Sequence, residues 1–349
     1  MKNRKYLALA LALAVAVSLG FSLTACSTTD TSRATTQITK SVSSPSVSLD
    51  SSRMMAHLTA FEKIAQANGG NRAVGTKGGL ASAKYIYDEA KKAGLTVQML
   101  AFENREKVVG QNIFVEIAGQ TNESVVLIGA HYDSVKMGPG INDNASGVAL
   151  LLDLMHQLST SKNKPKNTIV LAFWDSEETG IAGSQDYVKK LSPEQLKGIK
   201  AYINVDMVGT KNPEVMIADA SKSSVTDMEK MLKEQGMAES EYKPLLDGLR
   251  AIPTHAGDLA LENTLSQFFK DKNIEVRKDV STLTASDTAP FLGKVPVASI
   301  IMFNEQMNGN ELEFAPCYHK KCDTLAQVDP QSMQLAGDAV VYLLDSLDK

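Results

Sequence analysis

The sequence predicts an α/β layered domain with a mostly parallel central β-sheet flanked by helices. Short apolar runs that read as buried strands (124–130, 168–174, 201–205 and 298–303) alternate with segments of helical periodicity. Dense polar clusters follow several of these runs, where open α/β sheets place their ligands. The composition is globular, with 43% hydrophobic and 22% charged residues, 11 Pro and 23 Gly, which argues against long disorder, collagen and coiled coil.

The regular pattern begins near residue 52. Met55, Leu58, Phe61, Ile64 and Ala65 recur at helical spacing until Gly69-Gly70. A second helix is expected over 81–93, closed by Gly94, and 96–102 and 111–117 alternate as strands do. After the strand 124–130 come a helix at 147–158, the strand 168–174, a helix near 183–190 and the strand 201–205. Residues 223–235 and 259–271 read as helices, 298–303 as a strand, and 330–347 as a terminal helix opened by Pro330. No internal repeat or Pro/Gly-rich break divides this stretch, so 52–349 is expected to be one domain. Within it, 221–258 carries Pro244, Pro253 and His255 with little periodicity, and reads equally as a cap over the cleft or as a surface insertion.

The first 25 residues read as an address. Lys2, Arg4 and Lys5 precede an apolar run that ends in Leu23-Thr24-Ala25-Cys26, the order of a secretory signal. The run is short for a membrane anchor and its end is small and polar. Its last residues resemble a bacterial lipobox, which implies that Cys26 is lipidated and holds an exported cell-envelope lipoprotein to the membrane. Residues 26–51, rich in Ser and Thr, are expected to form a tether. Net charge is -4; without Lys2, Arg4 and Lys5 the rest has 33 basic and 40 acidic residues, or -7, which argues against nucleic acid as a partner. Beyond Cys26 only Cys317 and Cys322 remain, and outside the cytoplasm so close a pair is expected to be a disulfide that stiffens the loop holding Tyr318 and His319.

Five clusters carry candidate chemistry. His131-Tyr132-Asp133 ends the strand 124–130, so that the Asp133 carboxylate can orient the His131 imidazole. Asp143, in Gly140-Ile141-Asn142-Asp143-Asn144-Ala145-Ser146-Gly147, precedes a helix, and alone reads best as an N-cap. In Trp174-Asp175-Ser176-Glu177-Glu178 two glutamates follow a buried strand; one can bind a cation while the other faces a reacting water. Asp206 closes the apolar strand 201–205 and needs a partner there, which a metal would supply. His319 sits in Cys317-Tyr318-His319-Lys320-Lys321-Cys322. Together these supply two histidines and several carboxylates, donors that suit zinc and related divalent ions. Neither a Gly-x-Ser-x-Gly nucleophile elbow, a Walker-type loop nor a His-Glu-x-x-His helix is present in the sequence.

In this order the clusters resemble the secreted two-zinc aminopeptidases, co-catalytic zinc exopeptidases related to bacterial leucine aminopeptidases. Asn68-Gly69-Gly70-Asn71-Arg72-Ala73-Val74-Gly75 upstream and Ser286-Asp287-Thr288-Ala289-Pro290-Phe291 downstream are similar to further motifs of that family. The resemblance implies a zinc exopeptidase fold and two Zn²⁺ per chain. One zinc would be bound by His131 and Asp206, the other by Glu178 and His319, with Asp143 bridging both and a cis peptide after Asp143. It further implies a metallo-aminopeptidase acting on peptides with a free N-terminus through a hydroxide shared by the two zincs. Glu177 would be the catalytic base, Asp133 the support of His131 and Tyr318 the oxyanion donor, and Glu177 and Asp206 would meet the substrate's amino group. Charge supports the assignment: two zincs, three carboxylates and one hydroxide sum to zero.

Two positions depart from the family pattern. Ala285 stands where some relatives carry a basic residue, and Thr288 where histidine is frequent, which bears on substrate recognition. Two alternatives stand beside the aminopeptidase. A glutaminyl cyclase shares the fold with a single zinc, and a non-catalytic peptide-binding lipoprotein would be expected to lose ligands or the base. His57 and His156 are expected to be surface or partly packed residues, His255 a loop residue, and Trp174 to pack under the Glu177 loop.

Overall fold

The computed structural model describes residues 46–308 and 311–349. The expected signal peptide and Cys26 lie outside the described residues, as does most of the expected tether. Its last residues are packed: Val47 and Leu49 are buried, and the Ser46 N–H donates to the Asp345 carboxylate, so packing against the domain begins ahead of residue 52.

The elements in chain order are α1 (Ser51–Ala67), α2 (Lys77–Lys92), β1 (Thr96–Glu103), β2 (Val109–Ile117), β3 (Val125–His131), α3 (Ala145–Thr160), β4 (Thr168–Trp174), α4 (Ala182–Lys190), α5 (Pro193–Gly198) and β5 (Ile199–Asp206). There follow β6 (Glu214–Ala218), α6 (Ser223–Glu234), α7 (Glu239–Arg250), α8 (Asp258–Asp271), β7 (Val276–Asp279), β8 (Val297–Phe303), the hairpin β9 (Gln306–Asn308) and β10 (Glu311–Glu313), and α9 (Pro330–Leu347).

Eight strands form one sheet in the order β1-β2-β4-β3-β5-β8-β6-β7. The central four, β4, β3, β5 and β8, run parallel, so their carboxyl ends open on one edge. β1 and β2 continue the sheet antiparallel on one side, and β6 pairs antiparallel with β8 on the other. The central strands are mostly apolar and buried because both sheet faces are covered. Ile128, Leu171, Ile203 and Ile300 point to one core, shared with α1, α3, α8 and α9. Leu127, Ala172 and Tyr202 point to the other. Trp174 lies in this second core with Phe114, Tyr187, Tyr202 and Phe291 around its ring.

Residues 221–258 hold a helical hairpin, α6 and α7, whose Val225, Leu232, Tyr242 and Leu246 are buried in the second core. Pro244 sits inside α7, and the helix was illegible from sequence for that reason. The short strands β6 and β7 also escaped the sequence reading.

Candidate metal centre

The carboxyl ends of β3, β4 and β5 deliver the site. His131 is the last residue of β3, Asp206 the last of β5, and Glu177 and Glu178 follow β4 by three and four positions. The register of β3 with β4 puts His131 opposite Trp174, so the glutamates emerge beside the histidine. Asp143 lies just before α3. The N-cap of that helix is Asn144, not Asp143: Asn144 Oδ1 accepts the N–H of Gly147 at 2.9 Å. The cap reading of Asp143 is thereby corrected, and its carboxylate is free to face the cluster. Asn144 also accepts the Met207 N–H at 3.2 Å and donates to the Val205 carbonyl at 2.9 Å, tying α3 to the end of β5. Gly147 permits this approach, since a Cβ there would lie 2.6 Å from the Val205 carbonyl oxygen.

Two donor triads result, and they share one residue. His131, Asp143 and Asp206 form the first, and Asp143, Glu178 and His319 the second. His131 Nε2 lies 3.4 Å from Asp143 Oδ1 and 3.6 Å from Asp206 Oδ1. His319 Nε2 lies 3.2 Å from Asp143 Oδ2 and 3.0 Å from Glu178 Oε2. The Asp143–Asn144 peptide is cis. Glu177 belongs to neither triad; its Oε2 lies 4.0 Å from His131 Nε2.

The surrounding residues orient these groups. Asp133 Oδ1 lies 3.4 Å from His131 Nδ1, and the Asp133 carboxylate accepts the N–H groups of Glu177 and Glu178 at 3.1 and 3.3 Å. Ser286 donates to Asp206 Oδ2 at 2.6 Å. Cys317 and Cys322 are disulfide-bonded around the segment with Tyr318 and His319, whose rings stack at 3.7 Å. Arg72 and Asp323 hold the backbone next to Asp143, and nothing local in the sequence gives them a role. Asp323 was legible only as the acid next to Cys322, and Arg72 only as part of the upstream motif.

The donors fit a divalent cation. Asp206 Oδ1 and Glu178 Oε1 are buried without a hydrogen-bond partner, an arrangement costly for carboxylates unless a cation faces them. Burial and the nearby Asp143 push the Glu178 carboxyl up to about 7. Burial would lower the His319 imidazole, but hydrogen bonds to Asp143 and Glu178 outweigh it and hold the pKa at about 10. Both shifts reflect acids crowded together and short of positive charge. Imidazole and carboxylate donors with this spacing suit zinc.

Of the remaining histidines, His57 is half-buried with Nδ1 2.7 Å from the Tyr85 hydroxyl, His156 is exposed, and His255 accepts the Gly257 N–H at 3.1 Å.

Residues 112–344 match the model of peptidase family M28. The chain is 30% identical over 292 residues to leupeptin-inactivating enzyme 1 of Streptomyces exfoliatus, covering 84% of this chain and 60% of that protein. It is 31% identical over 257 residues to a probable lipoprotein aminopeptidase, LpqL, of Mycobacterium tuberculosis, covering 71% and 47%. It thus spans less than two thirds of the length of either relative. Among solved structures, the aminopeptidase from Aneurinibacillus sp. strain AM-1 superposes with a TM-score of 0.65 at 14% identity, covering 86% of this chain and 94% of that one. The Porphyromonas gingivalis glutaminyl cyclase superposes with a TM-score of 0.63 at 19% identity, covering 85% and 98%. One fold therefore serves proteins of two named activities.

Proposed function

The chain belongs to peptidase family M28, and on that premise we propose that it is a metallo-aminopeptidase that removes the N-terminal residue of peptides at a centre of two zinc ions. The observation that carries the reading is the pair of donor triads joined by Asp143. His131 and Asp206 would hold one ion, Glu178 and His319 the other, and Asp143 both. Zinc held there supplies a water of lowered pKa and polarises the peptide carbonyl.

The protein's own groups do the rest. Glu177 stands next to the triads and outside them, where it would take the proton of the attacking water and return it to the leaving amine as the C–N bond breaks. Its burial among acids, which raises its carboxyl pKa, suits that exchange. Asp133 would fix the His131 ring and the turn that carries Glu177 and Glu178. The Tyr318 phenol, stacked on His319, would donate to the oxyanion. Glu177 and Asp206 would meet the substrate's free ammonium, which confines cleavage to the first residue. A lipidated Cys26 would hold the enzyme to the membrane of the cell envelope, a reading supported by the relative named as a lipoprotein aminopeptidase.

The second reading is the glutaminyl cyclase, which shares the fold. The second triad, with His319, favours two ions and hydrolysis. The test is release of p-nitroaniline from a panel of aminoacyl-p-nitroanilides by the purified protein, with chelator and with zinc added back. The expected result is chelator-sensitive release from free but not N-acetylated substrates. Cyclisation of N-terminal glutamine without hydrolysis, by a protein holding one zinc, would establish the cyclase instead.

A further inference from the structure

The segment from Tyr132 to Asp143 links the two residues that meet in the first triad, His131 and Asp143. It has almost no regular structure, yet most of it is buried. Two side chains, Arg72 and Asp323, hold it through its backbone groups. Arg72, fully buried, turns its guanidinium onto three backbone carbonyls of the segment: Nε donates to Pro139 at 2.8 Å, and the two terminal nitrogens donate to Tyr132 and Gly140. Its own backbone N–H donates to Ser134 Oγ at 2.9 Å, and its guanidinium carbon lies 5.3 Å from the centre of the Phe61 ring. Asp323, also buried, takes two amides of the same segment: its oxygens accept the N–H groups of Asn142 at 2.8 Å and Asp143 at 3.1 Å.

Arg72 thus holds the carbonyls, in charge-assisted hydrogen bonds stronger than neutral ones, and Asp323 holds the amides, although burial pushes its carboxyl up to about 7. The choice of partners matters for the site. Among the described residues Arg72 is ion-paired with no carboxylate, so it adds positive charge behind the acidic cluster without occupying any oxygen of Asp143, Glu178 or Asp206. Burial lowers the Arg72 pKa only to about 10, so the group stays charged at neutral pH. Asp323 follows Cys322, at the end of the disulfide loop that carries His319. Its hydrogen bonds to Asn142 and Asp143 therefore join the loop of the second triad to the bridging residue of both.

We infer that Arg72 and Asp323 are a paired clamp of positioning residues, which sets the backbone from Tyr132 to Asp143 so that Asp143 meets both histidines, and that zinc affinity depends on them although neither supplies a ligand oxygen or nitrogen. The inference rests on the metal reading of the two triads and adds to it the determinant of how tightly the metal is held.

Zinc binding by the purified protein, measured by competition with a chromophoric chelator, tests this with Arg72→Met, Arg72→Lys, Asp323→Asn and the double variant Arg72→Met/Asp323→Asn. Each single variant is expected to weaken zinc binding by about 10–100-fold, the range for groups that orient metal ligands. Arg72→Lys keeps the charge but not the three-pronged geometry, and should fall between wild type and Arg72→Met. The double variant should lose much less than the product of the two single losses, because both side chains act on one segment. Unfolding midpoints of the chelated proteins separate the two kinds of role. A residue that only stabilises the fold lowers that midpoint and leaves zinc affinity unchanged. Affinities within about two-fold of wild type, or fully multiplicative losses, would overturn the clamp. If Arg72→Met does not fold, Arg72→Lys and Asp323→Asn decide by the same criterion. A wild-type protein that binds no zinc would overturn the metal reading itself, a result distinct from wild-type binding that the variants leave intact.

Discussion

His319 Nε2 and Asp143 Oδ2 lie 3.2 Å apart, while the other oxygen of Asp143 faces His131 at 3.4 Å. This single carboxylate makes one cluster of the two triads.

Glu177 stands outside both triads. Glu177→Gln is therefore expected to keep the zinc content of the wild type and to lower kcat by about 10²–10⁴-fold, the range for a general acid–base. Zinc analysis and steady-state kinetics on one preparation check this. A near-wild-type kcat would remove Glu177 from the role of base.

His319 belongs to the second triad only. His319→Ala is expected to lower bound zinc from two per chain to one and to reduce turnover by about 10²-fold or more, since a metal supplies several kcal/mol of transition-state stabilisation. Retention of two tightly bound zincs would show that the second site is built otherwise.

The Asp133 carboxylate accepts the N–H groups of Glu177 and Glu178 and lies beside His131 Nδ1. Asp133→Asn replaces one of the two acceptor oxygens by an NH2 group, so one of these N–H groups faces a donor. Zinc affinity should fall by about 10–100-fold. A titration against a chromophoric chelator gives the number.

Metal removal should be visible in stability as well as in activity. Asp206 Oδ1 and Glu178 Oε1 are buried without hydrogen-bond partners, and a bound cation would supply the positive charge they lack. Zinc at about a thousand times its dissociation constant adds about 4 kcal/mol to folding. The melting temperature should fall on chelation and return with zinc. A midpoint that ignores both would speak against tight binding.

Asp219 carries a pH dependence remote from the metal centre. Burial would raise its pKa, but hydrogen bonds from Ser224, Ser221 and Ser223 outweigh burial and hold it below the usual 3.8. A carboxyl with a depressed folded-state pKa stabilises fully above its ordinary value, and the contribution is lost as pH falls through the folded pKa. Asp219→Asn is expected to cost about 1–3 kcal/mol at neutral pH. The gap to wild type should close below about pH 4. Urea unfolding at a series of pH values checks the sign; a gap that widens in acid would contradict it.

The sequence was legible where local pattern and burial agree. β3, β4, β5 and β8 are buried on both faces and mostly apolar, and such runs are recognised without knowing their neighbours. β7 is half-buried throughout and charged at three of its four positions, so no period marks it. α7 was hidden by Pro244.

The sequence by itself determined the class of fold, the family and the donor types, because these reside in residue identity and in order along the chain. It also placed each donor at the end of a strand or in a loop. Only the tertiary structure decided which donors meet. Asp143 read alone as a helix cap until Asn144 took that position, and Arg72 and Asp323 had no visible task. The physical reason is that a strand's period of two or a helix's of 3.6 is a local property. The meeting of His131, Asp143 and His319 depends instead on strand order and register, and on hydrogen bonds between segments far apart in the chain.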